Sequence, residues 1–204
     1  MNEEEVDRWF RFIGYGNPAS WLWFVGIEEG GNQAQGGPQS KDHDDFMMGT
    51  DRVTYDPDTP LGENLVWTTA KDLAAQVGHI DHPEPYFLSN IAPLPRNHLY
   101  VQHVGLDFRE YRDRVIHERV GRLKKLHSST PSNAMLFHGA AAWRTYQVLN
   151  CFGLSAEDCS GETRGLLIFE KERLIFTSTF SWGERWFKRE QRKRVVETLK
   201  KWAP

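Results

Sequence analysis

The sequence predicts a single three-layer α/β/α sandwich around a short, mostly parallel central sheet. Two observations carry that expectation. Short apolar runs alternate with longer segments of helical spacing, the order expected when helices join parallel strands and cover both faces of the sheet. At least one of the runs is continuously apolar, as in a strand buried on both sides. The 204 residues suit one domain spanning positions 1–204, long enough to bury a real core.

Taken in order, Glu3 to Ile13 has helical spacing, with Val6, Trp9, Phe10 and Ile13 on one side. Trp21 to Ile27 (WLWFVGI) reads as a buried strand that stops at Glu28-Glu29-Gly30-Gly31. A Gly-, Gln- and Asp-rich stretch runs from Gly30 to about Pro60, too long and polar for a mere connector. Leu61 to Val77 reads as a helix and Tyr86 to Ile91 as a second strand ending at Asn90. Leu106 to His127 reads as a long charged helix, Ala134 to Phe137 as a third strand, and Ala140 to Leu149 as a helix. Leu166 to Phe169 and Leu174 to Thr177 read as two short strands joined by a turn, and Ser181 to Trp202 as a closing helix. No internal repeat and no interior linker is visible.

Composition narrows the class. Hydrophobic residues make up 39% of the chain, and no apolar run approaches the length needed to cross a bilayer, so no membrane partner is expected. The N-terminus reads MNEEEVDRWF, acidic where a signal peptide is basic. Cys151 and Cys159 have no partners at metal-ligand spacing, which fits a reducing cytoplasm. The net charge of −3 argues mildly against nucleic acid, but its distribution does not. From Arg185 to Lys201 the cations Arg185, Lys188, Arg189, Arg192, Lys193, Arg194, Lys200 and Lys201 stand against Glu190 and Glu197 alone. Screening makes charge a short-range matter, so such a face can meet phosphates; it can equally be a solvated helix face.

In parallel sheets covered by helices, ligands sit beyond the carboxyl ends of the strands. Each predicted strand end is polar: Glu28, Asn90, His138, and Thr177 to Ser181. These four ends are expected to converge on one crevice. Either Glu28 or Glu29 there would orient water or stabilise a developing cation, or else the pair belongs to an acidic capping loop. Asn90 offers a donor and an acceptor from one amide, a match for the edge of a base, or it is a turn residue. His138 precedes Gly139 and small residues that allow a tight strand-to-helix turn; it is a catalytic candidate or a structural histidine. Ser178, Thr179 and Ser181 before a basic helix can hold phosphates, with Phe180 or Trp182 wedging into a base stack. Alternatively Ser181 caps the helix and the aromatics are core. The cluster His43, Asp42, Asp44 and Asp45 reads more economically as a solvated loop than as a metal site. No phosphate-binding G-x-x-x-x-G-K-S/T, no G-x-S-x-G elbow and no H-E-x-x-H is present.

Together these blocks resemble the uracil-DNA glycosylase superfamily. Gly26-Ile27-Glu28-Glu29-Gly30 is similar to its first motif, G-x-x-P-G, with Glu29 in place of proline and Glu28 where several branches carry a water-activating Asp or Asn. Some branches place a Glu one position earlier, where this chain has Ile27. Leu88-Ser89-Asn90-Ile91 through Pro95-Arg96 resembles the strand whose Asn reads the extruded base. Leu136 to Ala142 resembles the L-G-x-x-A segment. Thr177 to Trp182 stands in place of the last motif, H-P-S-P, with Thr179 for its His and Phe180 for its Pro. The base-stacking aromatic would be Phe46, or else Tyr55.

The resemblance implies a monofunctional DNA glycosylase without metal or cofactor, acting on a flipped-out uracil, deaminated or modified base. Glu28 or Glu29 with Thr179 would be catalytic. Gly26, Ile27, Phe46, Asn90 and His138 would hold the base, and Ser178, Ser181, Trp182, Arg185, Lys188 and Arg189 the DNA. The long loop would make room for a base larger than uracil, such as modified phage pyrimidines, with an antiphage role. DNA is the expected partner; no protein partner is implied, and nothing demands more than a monomer. A non-catalytic nucleic-acid binder on the same fold is the alternative, and an unrelated α/β hydrolase or small-ligand protein the third reading.

Overall fold

A computed structural model describes residues 6–7, 10–11, 13–16, 18–28, 52–53, 65–78, 86–93, 107–130, 133–160, 165–178, 180 and 187–204. Seven strands form one sheet: β1 (Gly14–Gly16), β2 (Leu22–Glu28), β3 (Arg52–Val53), β4 (Phe87–Ala92), β5 (Ala134–His138), β6 (Leu166–Phe169) and β7 (Leu174–Thr177). Their spatial order is β3-β1-β4-β2-β5-β7-β6. The four central strands are mutually parallel, and β1 and β6 run antiparallel to their inner neighbours.

The helices are α1 (Leu65–Gln76), α2 (Phe108–Arg114), α3 (Gly121–Ser129), α4 (Ala140–Thr145), α5 (Val148–Phe152) and α6 (Arg189–Trp202). A π-helical turn, Val115–Val120, joins α2 to α3. Two apolar clusters divide the helices between the faces. Leu22, Phe24, Leu88, Leu136 and Ile175 meet Ala70, Leu73 and Ala74 of α1 and Val195, Leu199 and Trp202 of α6. Trp23, Val25, Phe87, Ile91, Met135, Phe137 and Phe176 meet Tyr111, Val115, Val120, Leu123, Trp143 and Val148 on the other side. Both faces of β2, β4, β5 and β7 are thus dry, which is why these strands read as near-unbroken apolar runs. The predicted α/β/α sandwich is what forms.

Several boundaries differ from the sequence reading. The long charged segment is helical from Phe108 but passes through a π turn before α3. The segment after β5 breaks into two helices at Gln147, whose φ of 50° is left-handed. The closing helix starts at Arg189 with Lys188 as its N-cap, not at Ser181. Two short strands, β1 and β3, carry no hydrophobic pattern of their own and were invisible in the sequence; β3 lies inside the predicted loop.

Phe137 shows how the sheet is held. It is fully buried, stacks on Phe176 at 4.7 Å and 6° across β5 and β7, and meets Phe152 edge-on at 5.7 Å. Phe137→Ala is expected to cost about 3–5 kcal/mol of unfolding free energy, measured by urea denaturation, because the cavity lies between rigid strands.

Candidate functional site

Parallel pairing brings the carboxyl ends of β4, β2 and β5 to one edge. The chain runs from β2 to β4 on one side and then to β5 on the other, with helices on opposite faces. That reversal of strand order is where α/β sheets bind ligands. In register, Gly26 of β2 faces Asn90 of β4, and Glu28 faces Ala92. On the other flank Val25 pairs with Phe137, one residue before His138. Alternation then puts Gly26, Asn90, His138 and Thr177 on the same face as Phe24, Leu88, Leu136 and Ile175.

The packing at Gly26 is tight. A Cβ added there would lie 2.5 Å from Asn90 Oδ1 and 3.1 Å from both Cε1 and Nε2 of His138. An amide oxygen and an imidazole nitrogen therefore flank one α-carbon, and only glycine leaves them that space.

The His138 ring is fixed from behind. It stacks on Phe180 with centroids 4.3 Å apart and planes at 9°, and Phe180 packs in turn on Phe187 at 4.9 Å. His138 and Phe180 are both buried, so Phe180 is a core residue and not a wedge for a base stack. Burial drives the imidazole down to a pKa of about 3, so it is neutral at physiological pH. Among the described residues its Nδ1 has no hydrogen-bond partner, and neither has Oγ1 of fully buried Thr177, its register partner on β7. Two such orphaned groups at one strand edge are unusual in a protein interior. Behind them, Gly139 (φ 100°) turns the chain into α4 and donates its N–H to Thr177 O at 3.0 Å.

Of the residues singled out in the sequence, Gly26, Asn90 and His138 come together. Glu28 is at the same edge by its backbone register, and Ser178 follows β7 there. Asn90 lies within β4, not in a turn. Lys188 and Arg189 are exposed at the start of α6, directly after Phe187, so the ring series His138–Phe180–Phe187 links the edge to the first cations of that helix. Glu29, Phe46, Tyr55, Thr179, Ser181, Trp182, Arg185 and the Asp42–Asp45 cluster lie outside the described residues, as do the side chains of Ile27 and Glu28. Among the described residues no group of His, Cys, Asp and Glu could hold a metal ion, and no helix is long and apolar enough to cross a membrane.

Thr177, at the start of the fourth polar strand end named in the sequence, lies beside His138 as expected; sequence reasoning missed Arg119 altogether. Arg119 is 2% exposed and reaches β4 from the π turn. A buried arginine inside a charged helix looks like any other surface charge in the sequence; the signal that could have found it is its spacing of four from Val115 and from Leu123, both buried.

The buried histidine makes a pH prediction. Folded His138 titrates near 3 and unfolded near 6.5, so between these values the unfolded chain binds the extra proton. Stability is therefore full above pH 6.5 and falls as pH drops, by about 1.4 kcal/mol per unit from this one group. Lowered likewise by burial, His127 adds to the same trend. Between pH 7 and 5, wild type should lose about 2 kcal/mol more unfolding free energy than His138→Gln in urea titrations. No family model matches the chain, and no curated protein matches it.

Proposed function

We propose that the chain is a monofunctional DNA glycosylase that extrudes a uracil, deaminated or modified base and hydrolyses its N-glycosidic bond. The observation that carries this reading is the meeting of Asn90 Oδ1 and His138 Nε2 across Gly26, at the strand edge where Glu28 also ends.

The chemistry follows from these groups. Extrusion of the target nucleotide costs a few kcal/mol of stacking and pairing, which edge contacts to the base repay. The Asn90 amide presents an acceptor and a donor to that edge. Neutral His138 has one N–H. With the proton on Nε2, only a lone pair is left at buried Nδ1, and a donor points toward Gly26 and Asn90. Such a donor receives negative charge on the departing base without introducing a second full charge. As the C1′–N bond lengthens, the sugar becomes oxocarbenium-like, and a carboxylate at Glu28 stabilises it and positions water.

DNA as partner is supported by the start of α6. Lys188 and Arg189 stand at a helix N-terminus, where the helix dipole disfavours cations by a few tenths of a kcal/mol or more. Nearby phosphates offset that cost. The ring series from His138 to Phe187 ties this phosphate site to the base site.

The test is abasic-site formation on oligonucleotides carrying uracil, hypoxanthine or bulkier modified pyrimidines, read on a denaturing gel after alkaline cleavage. At least one base is released by wild type, and Glu28→Gln and Asn90→Ala each slow release about 100-fold or more. Gly26→Ala, whose Cβ displaces Asn90 or His138, has a comparable effect while the protein stays folded. Salt-sensitive DNA binding with no abasic product from any oligonucleotide would identify a non-catalytic binder instead. In binding titrations, replacing Lys188 and Arg189 with alanine should lower the salt slope by about 2.

A further inference from the structure

The guanidinium of Arg119 occupies an unusual place. The antiparallel ladder between β1 and β4 joins Tyr15 to Leu88 and Gly16 to Phe87. One and two positions further along, toward the end of β4 that carries Asn90, a side chain takes over from the ladder. Arg119 Nε donates to Asn90 O at 3.0 Å, and Nη2 donates to Ile13 O at 3.0 Å and to Ser89 Oγ at 3.1 Å. Ser89 Oγ donates in turn to Ile13 O at 2.5 Å. One planar fork thus clasps the carbonyls of two strands where their own pairing stops, and it does so from the face opposite the Asn90 amide.

Nothing about overall packing requires a charge there. A 2% exposed guanidinium is costly to bury, and well-packed apolar residues often serve stability as well or better. What the fork supplies is geometry. Its two nitrogens hold acceptors at fixed spacing and direction, which an ammonium cannot do. Arg119 is carried by the π turn Val115–Val120 and lies on the same buried stripe as Tyr111, Val115 and Leu123.

We infer that Arg119 is a positioning residue, fixing the carboxyl end of β4, and with it the Asn90 amide, against Gly26 and His138. The inference rests on the glycosylase reading for its activity readout. Arg119 touches no substrate; it acts through the main chain of Asn90. A displacement of about 1 Å at such a group costs on the order of 100-fold in rate.

The experiment compares wild type, Arg119→Lys and Ser89→Ala on whichever oligonucleotide wild type cleaves, measuring single-turnover base release, Kd for the DNA, and the unfolding midpoint. Arg119→Lys keeps the charge and loses the fork. Its release rate should fall about 10- to 100-fold while Kd stays within about twofold, a split that loss of folded protein alone does not produce. Ser89→Ala, which removes one acceptor without stranding a charge, should lose about threefold in rate at unchanged Kd. Folded Arg119→Lys releasing base at the wild-type rate overturns the positioning role. Should Arg119→Lys fail to fold, Ser89→Ala decides in its place, a wild-type rate overturning the role and a loss at unchanged Kd supporting it. Wild type releasing no base from any oligonucleotide overturns the glycosylase reading and the role with it; an active wild type with unaffected variants overturns the role alone.

Discussion

The site depends on a missing side chain. Three parallel strands end side by side, and the middle one carries glycine at position 26, so the amide of Asn90 and the imidazole of His138 close over its α-carbon. A Cβ would separate them. Strand register decides which residues share that edge and that face, and the apolar contacts on both sides of the sheet decide the register, because a slip by one residue would turn every buried side chain to the wrong layer. Placement of the polar groups is thus set by the apolar residues behind them, Phe24, Leu88, Leu136 and Ile175 on one face and Val25, Phe137 and Phe176 on the other.

The polar groups at this edge are held in environments that differ by face. On the side of α1 and α6, His138 is neutral, buried and stacked on Phe180. On the opposite side, Arg119 is held by main-chain carbonyls and a serine hydroxyl. The first arrangement gives an uncharged hydrogen-bonding group next to the Asn90 amide; the second fixes the strand from which that amide projects. Burying polar groups in this way is expensive unless each finds a use, and Nδ1 of His138 and Oγ1 of Thr177 have no hydrogen-bond partner among the described residues.

Much of this was legible in the sequence, for identifiable reasons. Strands β2, β4, β5, β6 and β7 announce themselves as apolar runs because they are buried on both faces, and β2, β5 and β7 end on the polar residues Glu28, His138 and Thr177, with Asn90 near the end of β4. Asn90 and His138 could therefore be assigned to one edge from the chain alone. Strands β1 and β3 could not, since Gly14–Gly16 and Arg52–Val53 are too short to show a period and form only by pairing with β4 and with each other. The start of α6 was misplaced because Ser181 is a good cap by type, while the helix begins at Arg189 after Phe187 has packed on Phe180. Phe180 looked like a wedge beside Trp182 and is core, a distinction that aromatic content does not encode. Arg119 was hidden by its charged neighbours: Arg114 and Glu118, which pair at i,i+4, and Arg122 give the whole segment the look of a solvated helix.

In the proposed function a base extruded from DNA is read at this strand edge by Asn90 and His138. A crystal structure of the Glu28→Gln variant with an oligonucleotide containing 2′-fluoro-2′-deoxyuridine, or the corresponding analogue of a larger preferred base, tests it most directly. A base out of the helix is expected, its edge within hydrogen-bond distance of the Asn90 amide and of His138 Nε2. A nucleotide left stacked in the duplex, or a DNA strand bound to a face of the molecule that leaves Gly26, Asn90 and His138 untouched, would contradict it.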